Sequence, residues 1–164
     1  MIFDPAKLRR TSTVELTPGA IYVRFGPDAK PRIGLVVGTE GKNNRVIDLT
    51  TGEWSAVLEE EDCIPLQLIG PPAIDIDDAA TTTSAWDVGT LIVGDDDVFV
   101  VAQVNEAQRR FLSFKTWKLS PFHEGQPGLR LSNWKLVGQT SPTEIMVLNQ
   151  PSQLSYWKKL GSEP

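Results

Sequence analysis

Apolar and polar residues alternate along this chain in runs of about five, cut short by glycine, proline, asparagine and aspartate. After a Thr17-Pro18-Gly19 turn, Ile21, Val23 and Phe25 alternate as a half-buried strand requires. Residues 26–31 carry two prolines and read as a loop. Strands are expected over 33–39 and 45–49, joined by a tip, residues 40–44, rich in types that tolerate positive φ. Residues 51–53 turn the chain before Trp54, and 64–69 form a closing strand with Pro65 near its start.

The same text then recurs. Residues 33–37 lie over 98–102, the polar stretch 40–45 over 105–110, and 46–49 over 111–114; Trp54 falls two positions out of step with Trp117. A glycine opens the strand upstream of each copy, at Gly19 and Gly89. Asp95-Asp96-Asp97 closes a hairpin between 91–93 and 98–101, residues 106–110 form the next tip, 111–119 a strand, 121–127 a loop, and 129–137 a strand pattern broken at Ser132-Asn133. An internal duplication fixes architecture before any chemistry is considered. The expectation is an all-β chain of two tandem small SH3-like β-barrels with a short C-terminal helical or docking segment. Its parts are 1–70 (first barrel with a short N-terminal helix begun by Asp4 and Pro5), 71–85 (a linker in which 73–76 could add a short strand), 86–140 (second barrel) and 141–164 (docking segment).

The C-terminal part supports two readings. Ser141-Pro142-Thr143-Glu144 is a capping box with proline at the first helical position, which predicts a helix start. Ile145-Met146-Val147-Leu148 equally suits a buried strand, and Pro151 limits any helix to about two turns. A second short helix is expected over 151–160, with Leu154, Trp157 and Leu160 on one face and Gly161 as its stop.

Composition narrows the partners. Among 164 residues, 21 acidic side chains outnumber 16 basic ones for a net charge of -5, which disfavours general nucleic-acid affinity. A single cysteine, Cys63, excludes a disulfide within one chain and suits a reducing compartment. No signal peptide is expected, because the first residues carry charges throughout, and no apolar run approaches a membrane span. A cytoplasmic or virion location follows as the expectation.

Candidate catalytic groups are few. His123 sits in a loop rich in proline and glycine, and Cys63 follows four acidic residues that disfavour its thiolate. Acidic clusters at 59–62, 75–78 and 95–97 lack the alternating spacing of a calcium loop, so no metal or cofactor is expected. The tryptophans are mostly expected in the core; the sharper expectation is an aromatic binding surface at Trp54, Trp117 and Trp134 for a peptide or sugar. The tips of both copies are basic, at Lys42, Arg45, Arg109 and Arg110, and could contact one anionic partner if the barrels pack side by side.

The run from Gly19 through Phe25-Gly26-Pro27, Ile33-Gly34-Leu35-Val36-Val37 and Asn44-Arg45-Val46-Ile47-Asp48 resembles KOW-type small β-barrel modules, over residues 19–48. In the second copy Phe99 stands where the pattern has Gly34. That resemblance implies binding of protein or RNA. The segment is also similar to PemK-type endoribonucleases, a likeness that implies Arg32 and Thr39 as its arginine and hydroxyl group. The expected function is a non-enzymatic protein–protein interaction or assembly module, an adaptor or a structural component of a particle such as a phage virion, whose partner is another protein or a second copy. The alternatives are an RNA-binding or PemK-like module using Arg32, Lys42, Arg45, Arg109 and Arg110, and carbohydrate or peptide recognition by exposed tryptophans.

Overall fold

The computed structural model describes residues 10–41, 43–83, 86–149 and the backbone of 157–159. The strands are β1 (Thr11–Ser12), β2 (Ile21–Phe25), β3 (Pro31–Val37), β4 (Arg45–Asp48), β5 (Ala56–Val57), β6 (Asp62–Pro65), β7 (Ala73–Asp75), β8 (Ala80–Thr81), β9 (Leu91–Val93), β10 (Val98–Val104), β11 (Gln108–Ser113), β12 (Leu119–Pro121), β13 (Leu129–Ser132), β14 (Lys135–Ser141), β15 (Glu144–Val147) and β16 (Trp157–Lys159). Among the described residues the only helical element is one 3₁₀ turn, Thr13–Glu15. The chain is all-β, as the alternation implied.

Two six-stranded antiparallel sheets run β1-β6-β2-β3-β4-β5 and β8-β13-β9-β10-β11-β12. The second order is the first repeated element for element. Register repeats as well: the pairs Ile21↔Leu35, Leu35↔Ile47 and Ile47↔Ala56 of the first sheet answer to Leu91↔Val100, Val100↔Leu112 and Leu112↔Leu119 of the second. The two-residue slip between Trp54 and Trp117 arises in the turn that follows β4 and β11, which is shorter in the second copy. Even the outer faces correspond, for Tyr22, Val36 and Val46 cluster on the first sheet as Ile92, Val101 and Phe111 do on the second.

A third sheet, β16-β15-β14-β7, is built from chain on either side of the second copy. The segment read as a linker thus carries β7 and β8, the first paired with residues more than sixty positions away at Ala73 and the second with residues about fifty away. The helix expected from residue 141 does not form. Residues 141–144 instead turn between β14 and β15, because strand pairing of Val137, Gly138 and Gln139 with Val147, Met146 and Ile145 buries Met146 and Val147, which an isolated two-turn helix could not. Residues 157–159, expected in a helix, form the edge strand β16; the rest of that expected helix and the one expected over 1–9 lie outside the described residues.

The inner faces of all three sheets merge in one core. Leu35, Ile47 and Ala56 from the first, Val100, Leu112 and Leu119 from the second, and Leu136, Met146 and Leu148 from the C-terminal part belong to a single cluster of buried side chains.

Candidate functional site

The two copies meet along a seam made of reciprocal backbone hydrogen bonds. Gln103 N–H donates to the Trp54 carbonyl at 3.0 Å, and at the equivalent place Gly38 N–H donates to the Trp117 carbonyl at 2.8 Å. Both tryptophans adopt left-handed backbone, with φ of 49° and 55°, a conformation uncommon for an aromatic residue. The reason is visible in the bonds: the left-handed turn aims each tryptophan carbonyl across the seam at the other copy. Gly19, φ 90°, stands against the Trp117 ring, where an added Cβ would lie 2.6 Å from Cδ1.

These bonds carry the tryptophans inward. Trp54 and Trp134 are 3% and 6% exposed, their rings 5.0 Å apart, and the Phe114 ring packs edge-on to Trp134 (5.7 Å) and to half-buried Trp117 (5.2 Å). Trp134 Nε1–H donates to the Gly89 carbonyl at 2.8 Å. Trp54 and Trp134 are therefore mainly core residues, though both also line a groove beside Val88, Asn133 and Asn149, and Trp117 lines another beside Pro18, Leu66 and Pro71.

The basic residues separate in an equally physical way. The tip expected over 106–110 is in fact a three-residue turn, 105–107, with Asn105 left-handed, so Arg109 and Arg110 stand in β11. Arg109 donates to the Trp86 carbonyl at 2.8 Å. Arg45, which opens β4, and Arg110, within β11, are equivalent in the two copies and pair with the core residues Val37 and Ala102. Because the copies are joined head to head at the seam, the two arginines converge on one cleft of about 210 Å³. Thr39, Gln108, Val104 and Leu119 complete it, with Glu40 at its rim. Lys42 lies outside the described residues.

The catalytic arrangements open to the sequence are not brought together. Arg32 lies near the start of β3 and Thr39 just past its end, about 23 Å apart at extended-strand rise. Arg32 is engaged by Asp48 at 3.6 Å, and the Thr39 hydroxyl donates to the Asn43 carbonyl at 2.7 Å. Cys63 packs beside Tyr22 and Val46 on the outer face of the first sheet, whereas the His123 ring lies against Phe111 of the second. Among the described residues no group of three or more His, Cys, Asp or Glu converges as metal ligands, and no helix is long and apolar enough to cross a membrane.

A polar network covers that outer face of the first sheet. The Tyr22 hydroxyl donates to Glu61 at 2.6 Å, and Arg24 bridges Glu61 at 2.6 Å and Asp48 at 3.2 Å. Burial, with the nearby carboxylates of Glu61 and Asp62, pushes the Cys63 thiol from an ordinary 9.0 up to about 11. The thiol holds its proton more tightly folded than unfolded, so the stability it contributes is complete below pH 9 and is lost as pH rises toward 11. That window is worth about 3 kcal/mol at most. Denaturant midpoints measured between pH 8 and 11 are expected to fall more steeply for the wild-type chain than for Cys63→Ala; equal slopes would remove the thiol from the account. Burial raises the Tyr22 phenol as well, in both chains, so the difference reports Cys63 together with the small push its thiolate gives that phenol.

No protein-family model, curated protein or solved structure matches this chain.

Proposed function

We propose that the chain is a non-enzymatic protein–protein interaction or assembly module: two small SH3-like barrels in tandem, joined at a seam whose Arg45–Arg110 cleft meets a partner. The observation that carries this reading is the convergence of two equivalent arginines, one from each copy, on a protein whose net charge is -5. The strand order supports the barrel part of it, since in each copy a four-stranded meander is followed by a strand that returns to pair with the first. A rigid duplicated scaffold with a local basic cleft is suited to holding a partner in a fixed orientation. Adaptor and particle component are both uses of that property.

The nucleic-acid reading draws on the same arginines but keeps little else. Arg32 is paired with Asp48 and Arg109 with a backbone carbonyl, which leaves Arg45 and Arg110 as the convergent pair. Two phosphate contacts would give a salt slope of only about -1.4 on a single strand.

Light scattering after size exclusion, with cross-linking and capture from the native lysate, tests the proposal. Self-association or a captured protein partner that weakens when Arg45 and Arg110 are both changed to glutamine is expected. A monomer that retrieves nothing counts against the reading.

A further inference from the structure

We infer that the Arg45–Arg110 cleft is a carboxylate subsite, taking an acidic side chain or chain terminus of the protein partner; the inference rests on the interaction reading above and names the chemistry of its contact. Three features of the cleft point that way.

The first is its unmatched charge. Among the described residues the Arg110 guanidinium has no hydrogen-bond or ion-pair partner, and Arg45 spends one Nη1 donor on the Ala56 carbonyl at 3.2 Å, leaving the rest of its fork. A guanidinium presents planar paired donors that match the two oxygens of a carboxylate. Arg24 elsewhere in the chain shows the contrast, since both of its Nη groups already hold carboxylates.

The second is the floor. Val104 and Leu119, both buried, lie beneath the arginines, and Gln108 and Thr39 stand at the sides. An apolar floor under two cations fits a group with a short hydrocarbon stem and an anionic tip. The volume of about 210 Å³ holds one side chain and not a stretch of polymer backbone.

The third is Glu40. It lines the same cleft yet forms no ion pair with either arginine, so its charge stays at the rim. There it repels a doubly charged phosphate more than a singly charged carboxylate. A phosphodiester of RNA carries a single charge, so against RNA the preference for an acidic peptide rests on the cleft's size and the net charge of -5.

The test uses the full chain and fluorescein-labelled hexapeptides carrying one glutamate, or one free terminal carboxylate, among alanine and leucine. Each is matched by its glutamine or amide counterpart, and inorganic phosphate and oligo(U) serve as competitors. Carboxylate peptides are expected to bind roughly tenfold to a hundredfold more tightly than their neutral counterparts, the range for a hydrogen bond to a charged group. Arg110→Gln is expected to abolish that preference and Arg110→Lys to keep part of it, since charge survives without the paired geometry. Because Arg110 makes no internal bond, its variants should keep the wild-type thermal midpoint; Arg45→Gln, which loses a bond to Ala56, is the supporting variant. Equal binding of neutral and acidic peptides, no binding at millimolar concentration, an unchanged preference in Arg110→Gln, or displacement by phosphate or oligo(U) at lower concentration than by free acidic peptide each overturns the inference. If partner capture survives Arg45→Gln/Arg110→Gln, the carboxylate subsite falls and the interaction module stands; if no partner and no self-association are found at all, the module reading itself has failed.

Discussion

Replacing Trp134 with alanine is expected to lower the unfolding free energy by about 3–5 kcal/mol, the range for deleting a buried aromatic side chain. For a chain of this size that corresponds to a fall of about 6–20 °C in melting temperature. The indole is 6% exposed, packs against the Trp54 ring and edge-on to Phe114, and donates to the Gly89 carbonyl. Trp54 belongs to the first copy and Phe114 and Gly89 to the second, so the ring ties the C-terminal part to both copies. Trp134→Phe retains most of the contact area and leaves the Gly89 carbonyl without its donor, at about 1–3 kcal/mol. The sharper expectation concerns cooperativity. Because the inner faces of the three sheets share one cluster, fluorescence and far-ultraviolet circular dichroism should report one coincident transition for wild type, shifted as a unit by Trp134→Ala. Two resolved transitions, only one of them moved, would show that the halves are held together by less than the packing implies.

The parts of this architecture that sequence reveals are those written in local alternation. Strand runs around Leu35, Ile47, Val100 and Leu112 announce themselves, and the same spacing in both copies predicts their matched register. What stays hidden is whatever depends on pairing between distant segments. No local signal says that residues 73–75 pair with 135–137, since three half-exposed residues gain their structure only from the neighbour. At residues 141–144 the local signal points the wrong way: a capping box stabilises a helix by about 1 kcal/mol, less than burial of Met146, Val147 and Leu148 in a sheet contributes. The cleft was half legible. Arg45 and Arg110 are marked as equivalent by the repeat, but their convergence follows from the seam, and the seam from two left-handed tryptophans that no alternation pattern encodes.

Gly34→Ala is expected to cost about 3 kcal/mol, an overpacking penalty at the high end of its usual range. A Cβ there would lie 2.1 Å from Tyr22 Cζ and 2.4 Å from its hydroxyl oxygen. The ring cannot step aside freely, because the hydroxyl is held by Glu61 at 2.6 Å and Glu61 in turn by Arg24. The second copy shows how the clash is relieved. Tyr22 pairs with Gly34 across the strands, and the equivalent pair is Ile92 with Phe99, so the large ring stands on the other strand and faces isoleucine there. The departure from the glycine pattern at Phe99 thus goes with a change of the ring's strand and a different cross-strand partner. It follows that Tyr22→Ile/Gly34→Phe, which writes the second copy's pair into the first, should be more stable than the sum of the single changes predicts, by at least about 1 kcal/mol of coupling. The remaining deficit is the hydrogen bond from Tyr22 to Glu61, which the double variant cannot replace. Chemical denaturation of the four chains in a double-mutant cycle measures the coupling directly. Strict additivity would mean that the Tyr22 ring and Gly34 do not share the space the structure assigns them, and the equivalence of the two outer faces would then carry no energetic weight.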